Sequence, residues 1–254
     1  MKIVMLSSAC FSTTVIHNAV NSRYPVDRVI TEMPMRGMAL ARRRMKKLGW
    51  FRVSGQVLFS VLLVPFIRRS AAARMRAIHA HYRFDETPIP QEKITAVSSV
   101  NEDACIRLLQ ELNPDLVIVN GTRIISRKVL ESTRAVFINM HTGITPKYRG
   151  VHGGYWAMVN NDRSLCGVTI HLVDKGIDTG GILRQGIIPV TPADNYYTYP
   201  YLQFGEGIPL MLEAVEDVVH QRVQVRQSLT TESALWYHPG IWEYLYNRLV
   251  KKVK

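Results

Sequence analysis

Apolar residues along the first 223 positions fall into short β-branched runs separated by longer stretches of helix-compatible spacing. KIVMLSS (2–8) is an apolar run that ends in small polar residues, and STTVIHNAVNS after it suits a helix. DRVITEM (27–33) and KITAVSSV (93–100) read as further strands. NEDACIRLLQEL (101–112) reads as a helix, with Asn101 as the expected N-cap and Glu102 and Asp103 in a first turn that favours negative charge. PDLVIVNG (114–121) is almost continuously apolar and stops at Gly121, as in a strand covered on both faces. A short helix around 126–132 then leads into AVFINMH. Strands alternating with helices in this way predict an α/β fold, Rossmann-like, with a mostly parallel sheet flanked by helices.

From residue 166 the pattern changes. CGVTIHLV and GGILRQGIIPV are strand-like with no helix between them, which predicts an antiparallel extension of the sheet. Residues 201–223 have helical spacing, although Gly205, Gly207 and Pro209 place the expected start of its regular part near 208. Residues 1–223 are expected to form one catalytic domain carrying an insertion at about 34–84. The aromatic and basic tail, 224–254, is expected to clamp the body rather than to form a site.

The charge sharpens this division. The net charge is +12, and twelve bases (Arg36, Arg42, Arg43, Arg44, Lys46, Lys47, Arg52, Arg68, Arg69, Arg74, Arg76 and Arg83) lie between Glu32 and Asp85 with no acidic residue among them. The remaining 20 basic residues balance the 20 acidic ones, so the whole excess belongs to one segment. Cys10, Cys105 and Cys166 match no disulfide or zinc spacing, and the N-terminus lacks the apolar length of a secretory signal. Reduced thiols and a cytoplasmic location are expected. No cluster with metal-ligand spacing is visible, and no metal is expected.

FINMHTGITPKYRG (137–150) turns polar where a strand should end, and it sets Asn139 and His141 two residues apart. If the strand persists through His141, both side chains project to one side, at the carboxyl end of a parallel strand where open α/β sheets bind their ligands. Taken alone, a turn cap and a satisfied histidine account for the pair equally well. GVTIHLVDKGIDTGGIL (167–183) adds a second polar cluster, with Thr169, His171, Asp174 and Asp178. His171 is either an aid in positioning Asp178 or a satisfied core histidine.

Together these two stretches resemble the 10-formyltetrahydrofolate-dependent formyltransferases, the family of the glycinamide ribonucleotide, methionyl-tRNA and sugar-nucleotide enzymes. The resemblance covers roughly residues 90–190. It implies the formyltransferase fold, 10-formyltetrahydrofolate as co-substrate, and Asn139, His141 and Asp178 as the catalytic trio. The residue types suit the chemistry: amide and imidazole donors for an oxyanion, and a carboxylate to handle the proton of an attacking amine. It further implies folate contacts at Thr122, Arg123, Ile124 and Ile125, where plain loop packing is the competing reading. A pterin loop is implied at Val173, Asp174, Lys175, Gly176 and Ile177. Lys147, Arg149 and His152 are candidates for binding an anionic acceptor, against a solvated basic loop.

Departures from the family narrow the acceptor. SSACFSTT after the first strand contains no glycine, unlike the phosphate-holding turn of the purine enzymes, although its hydroxyls remain possible phosphate ligands. About thirty residues follow the last helix of the body, fewer than the added domain of the tRNA enzymes. The expectation is therefore transfer to a primary amine of an amino sugar, as a sugar nucleotide or envelope glycan precursor. The alternatives are a formyltetrahydrofolate hydrolase, a tRNA- or purine-pathway formyltransferase, and a nucleic-acid-binding protein on this scaffold.

VLFSVLLVPFI (57–67) is apolar for eleven residues apart from Ser60, about half the length a membrane-spanning helix needs. It is read either as part of a buried helical hairpin over the catalytic domain or, with bases on both sides, as an element lying on an anionic membrane through residues 36–76. The second reading makes the protein peripheral on the inner face of the membrane.

Overall fold

β1 (Ile3–Ser8) alternates across the sheet, with Ile3 and Met5 in one apolar layer and Val4 and Leu6 in the other. The computed structural model describes residues 1–34 and 37–254. Arg36, one of the twelve clustered bases, lies outside the described residues. From β1 the chain passes through α1 (Phe11–Asn21) to β2 (Val26–Glu32). Four helices follow: α2 (Gly37–Leu48), α3 (Trp50–Leu58), α4 (Val64–Ser70) and α5 (Ala72–Tyr82). A π-helical turn, Phe59–Leu63, joins α3 to α4 and leads into Pro65. β3 (Ile94–Val97), α6 (Asp103–Leu112), β4 (Leu116–Asn120), α7 (Arg127–Leu130) and β5 (Val136–His141) complete the parallel part of the sheet.

The two-residue strand β6 (Arg149–Gly150) and α8 (Gly153–Val159) precede β7 (Gly167–Leu172) and β8 (Ile182–Ile187), which pair antiparallel. α9 (Tyr199–Val219), β9 (Leu235–Trp236) and α10 (Ile241–Leu249) end the chain. The main sheet has the order β3-β2-β1-β4-β5-β7-β8, parallel through β5 and antiparallel beyond. This is the expected Rossmann-like architecture with its antiparallel extension. The strand order reverses between β1 and β4, so the crevice beyond their carboxyl ends is the natural ligand position.

Three apolar layers hold the fold. α1 and α9 cover one sheet face through Ile16, Val20, Met211 and Val215. α6 and α7 cover the other through Cys105, Leu109 and Val129. A third, aromatic cluster joins the insertion to the carboxyl end of the chain, with Phe59 fully buried against Tyr196 and Tyr244 at ring separations of 5.0 and 4.9 Å. Complete burial of such a side chain contributes about 2 kcal/mol. Arg74 of α5 adds a two-pronged bond to the buried carboxylate of Asp194, at 2.7 and 3.1 Å.

Two local expectations are corrected. Asn101 does not cap α6: its carboxamide receives Ser126 N–H at 2.7 Å and donates to the Ile124 carbonyl at 2.9 Å, so it pins the loop after β4. Residue 102 stands at the helix boundary instead. α9 is regular from Tyr199, not from near 208, because Asn195 and Thr198 fold its entry turn by hydrogen bonding to each other's backbone. Its glycines are packing residues. A Cβ on Gly205 would overlap the Tyr82 ring, and one on Gly207 would lie 2.7 Å from Met140 Sδ.

The Tyr82 ring cannot swing aside without losing the 2.9 Å bond from its hydroxyl to Glu206 and its stacking on Phe84. Gly205→Ala should therefore destabilise the protein by about 1–3 kcal/mol, the usual cost of overpacking. Urea unfolding of the two proteins measures this, and an unchanged midpoint would show that α5 yields freely.

Candidate active site

β5 runs through His141, so Asn139 and His141 share a face, and the antiparallel register sets them opposite His171 and Thr169 of β7. His171 Nδ1 donates to the Leu172 carbonyl at 2.7 Å, which leaves Nε2 free to accept from the Asn139 amide at 3.1 Å. An amide nitrogen carries two protons. The second one on Asn139 has no partner among the described residues, and Asn139 lines the cavity at the end of the sheet.

His141 stands between two acceptors. Nε2 lies 2.7 Å from the Tyr148 carbonyl, and Nδ1 lies 3.4 Å from Asp178 Oδ2. A neutral imidazole has one proton to offer and satisfies one of them, whereas an imidazolium satisfies both. Burial pushes His141 below the ordinary histidine value, and the Asp178 carboxylate pulls against that. Asp178 is itself largely buried. Burial raises its pKa, but His141 and the Gly150 N–H at 2.9 Å outweigh this and hold it at about 2. Asp178 is thus a carboxylate across the useful pH range.

The loop geometry follows from small residues. Gly143 lets residues 142–148, which contain a cis Thr145–Pro146 bond, fold back over His141. A Cβ there would overlap the Tyr148 carbonyl and stand 2.7 Å from His141 Nε2. Thr169 fixes the same loop through Gly143 O and Thr145 N, at 2.7 and 3.1 Å. Asp178 has a left-handed backbone (φ 50°), which Asp tolerates better than most residues with a Cβ. Asp174 closes its own loop by accepting from Gly176 N–H and the Thr179 hydroxyl at 2.9 and 2.7 Å.

These groups open into a cavity of about 520 Å³. Of the expected folate contacts, Thr122, Arg123, Ile124 and Ile125 line it, as do Val173, Asp174, Gly176 and Ile177. Lys175 is not in the lining. The Arg123 guanidinium is turned away to the carbonyls of Met33 and Ser98, at 2.9 and 3.1 Å.

Lys147, Arg149 and His152 are not presented to this cavity by their side chains, which corrects the expectation of an anion-binding trio. Lys147 is paired with Asp162 and Glu232 at 2.7 and 3.0 Å. Arg149 reaches the carbonyls of Pro146 and Ile177. His152 is stacked on Tyr196 and half-buried, and desolvation lowers its pKa to about 3. Two of the hydroxyls after β1 are engaged: Thr13 donates to Ser8 O and receives Asn120 Nδ2, which also reaches Ser12. The tail, expected only to clamp, supplies one wall of the cavity through Leu235, Trp236 and Tyr237. β9 pairs with β6, and Trp236 Nε1 donates to the Lys147 carbonyl at 2.9 Å.

The cavity suits a reduced folate. Val119, Ile125 and Val173 line it with apolar side chains suited to a flat ring, beside the loops at 121–125 and 173–178. Amide, imidazole and carboxylate converge beside it.

Fold and site together define a group-transfer site on a Rossmann-like sheet. The formyl transferase family model matches residues 66–201, more than half of the chain, and the protein belongs to that family. Over 118 residues it is 34% identical to the methionyl-tRNA formyltransferase of Thermodesulfovibrio yellowstonii, a match covering 46% of this chain and 38% of that protein. The matched segment is thus well under half the length of this relative. Two solved structures share the fold. Phosphoribosylglycinamide formyltransferase of Streptococcus pneumoniae superposes with a TM-score of 0.54 at 20% identity, covering 86% of this chain and 99% of that one. An N-formyltransferase from Helicobacter canadensis, in complex with folinic acid and dTDP-3-aminofucose, superposes with a TM-score of 0.54 at 17% identity, covering 93% and 70%.

Asp178→Asn removes the charge that draws a proton to His141 while keeping the shape. The His141 midpoint, followed by side-chain NMR, should lie below the ordinary histidine value in the unmodified protein and lower still in the variant. A midpoint that rises or stays fixed would show that the carboxylate does not draw a proton to His141.

Proposed function

We propose that the protein transfers a formyl group from 10-formyltetrahydrofolate to a primary amine, and that the amine belongs to an amino sugar carried by a nucleotide or an envelope glycan precursor. The observation carrying the first part is the convergence of Asn139, His141 and Asp178 on one folate-sized cavity at the carboxyl end of β5. The co-substrate, seated between Ile125 and the 173–177 loop, would supply an activated formyl carbon.

The residues divide the remaining work. Acyl transfer builds negative charge on the carbonyl oxygen, and the unpaired amide proton of Asn139 is a fixed donor for it. His171 keeps that amide oriented. Asp178, held ionised, accepts the proton the amine must lose, directly or through water. His141 becomes a donor on both nitrogens when a proton arrives, since each already faces an acceptor.

The acceptor side rests on different features. Trp236 and Tyr237 give the cavity an aromatic wall suited to a sugar face or a base. The Ser12 and Thr13 hydroxyls engaged after β1 leave that turn less suited to the phosphate that the purine-pathway reading would place there. The same-fold enzyme crystallised with a folate and an aminosugar nucleotide supports this reading. A cytoplasmic location belongs with it, as the compartment of reduced folates.

The test is a panel of aminosugar nucleotides, methionyl-tRNA and glycinamide ribonucleotide, each with 10-formyltetrahydrofolate, followed by mass gain of a formyl group. Formylation confined to methionyl-tRNA or to glycinamide ribonucleotide would reject the sugar acceptor. Formate release without any amine would make the protein a hydrolase.

Asn139→Ala and His141→Ala should each lower turnover by roughly 10²- to 10³-fold, the scale of losing a preorganised donor. Asp178→Asn should reduce the single-turnover rate far more than folate affinity, and equal losses would reassign it to loop structure. Tyr237→Ala should raise the acceptor KM with little change in folate binding, as steady-state kinetics and folate titration would show.

A further inference from the structure

The structure extends the eleven-residue apolar run into one continuous helical rod, Trp50–Ser70, 21 residues long. That is enough by length and composition to cross a bilayer, which corrects the expectation that this element is far too short. Its two sides are both apolar, and only one is covered. Val53, Gln56, Phe59 and Ile67 recur at helical spacing and are buried. Gln56 donates to the His238 carbonyl at 2.7 Å, Gly55 abuts Gly240, and Phe59 lies between Tyr196 and Tyr244. On the opposite side Trp50, Phe51, Val61 and Phe66 are 71, 71, 64 and 72% exposed, with Val57 and Leu62 between them. A buried helical hairpin would have covered this stripe.

Bases frame the stripe at both ends. Arg42, Lys46, Lys47 and Arg52 stand exposed before or at its start, and Arg68 and Arg69 at its end. None forms an ion pair among the described residues, in contrast to Arg74. We propose that the outer face of Trp50–Ser70 is a membrane-docking surface that lies flat in an anionic bilayer, its apolar stripe in the acyl boundary and its flanking bases among the headgroups.

Crossing is disfavoured because the inner stripe would have to leave the aromatic cluster and the Gln56 bond. A second copy of the chain is disfavoured by charge. A two-fold contact through this face would set one basic cluster against another, with no acidic residue between 33 and 84 to neutralise them. Nucleic acid would meet the bases but leave the large apolar groups uncovered. The surface also borders the cavity: Lys47 Nζ and Arg52 Cζ lie 5.6 and 5.5 Å from the ring centre of Tyr237, which forms part of its wall. The docking is independent of which amine is formylated.

Co-sedimentation of the full chain with vesicles of phosphatidylcholine alone, and of equal parts phosphatidylcholine and phosphatidylglycerol, tests the proposal. Binding should be confined largely to the anionic vesicles and weaken with salt. Changing Arg42, Lys46, Arg68 and Arg69 together to Gln should lower partitioning by about tenfold or more, since each base near such a surface adds appreciably to attraction. Trp50, Phe51 and Phe66 changed to Ser should remove the binding that persists at high salt. These positions are exposed, so thermal melting should confirm folded variants; the unmodified chain on the two vesicle types decides the matter even if a variant fails to fold. No preference for phosphatidylglycerol, or binding indifferent to both sets of changes, would overturn the proposal. So would a lipid-free dimer in analytical ultracentrifugation that the three serines dissolve.

Discussion

The antiparallel pairing of β5 with β7 is the interaction on which the site depends. Because this register sets Asn139 opposite His171 and His141 opposite Thr169, one side chain of each pair orients its partner or the loop above it. A slip of one residue would turn every one of these groups to the other face of the sheet. The pairing also marks where the sheet changes from parallel to antiparallel. The connection between β7 and β8 can then be a loop instead of a crossover helix, and Asp178 sits on that loop, back above the end of β5.

Within this frame His141 and Asp178 form a tension rather than a settled ion pair. Burial disfavours the charged imidazole, while two acceptors at its nitrogens and a carboxylate in reach favour it. The carboxylate stays ionised because the Gly150 N–H and His141 answer its charge. A site balanced in this way suits the proposed transfer, in which one proton leaves an amine and one arrives at the leaving group.

The insertion between β2 and β3 uses the same aromatic layer that holds the carboxyl end of the chain. Phe59 enters it from the rod, and Tyr244 from α10. Arg74 and Asp194 secure the other side. β9 and Tyr237 are thereby held against the cavity, so the basic rod and the aromatic wall of the site are mechanically parts of one assembly. The rod's unusual property is that packing uses only half of its apolar surface.

Several features were legible in the chain alone. The β-branched runs and their helical spacers determine the α/β order, because burial of both sheet faces demands near-continuous apolar strands. The paired stretches around Asn139, His141 and Asp178 carry the resemblance to the formyltransferases, and their residue types suit the proposed acyl transfer. The clustering of twelve bases beside an apolar run is likewise a property of the linear sequence. Tertiary structure decided the rest. Lys147, Arg149 and His152 read as acceptor ligands until the fold gave each a nearer partner. Asn101 had the identity of a cap, but the loop after β4 competed for its carboxamide. Gly205 and Gly207 looked like helix breakers, whereas the approach of Tyr82 and Met140 makes them necessary within a helix. Leu235, Trp236 and Tyr237 carry no local signal of a binding wall, because their placement depends on β6, more than eighty residues earlier. Which face of Trp50–Ser70 is left bare was also beyond the sequence, for a helix apolar on every side does not specify what will cover it.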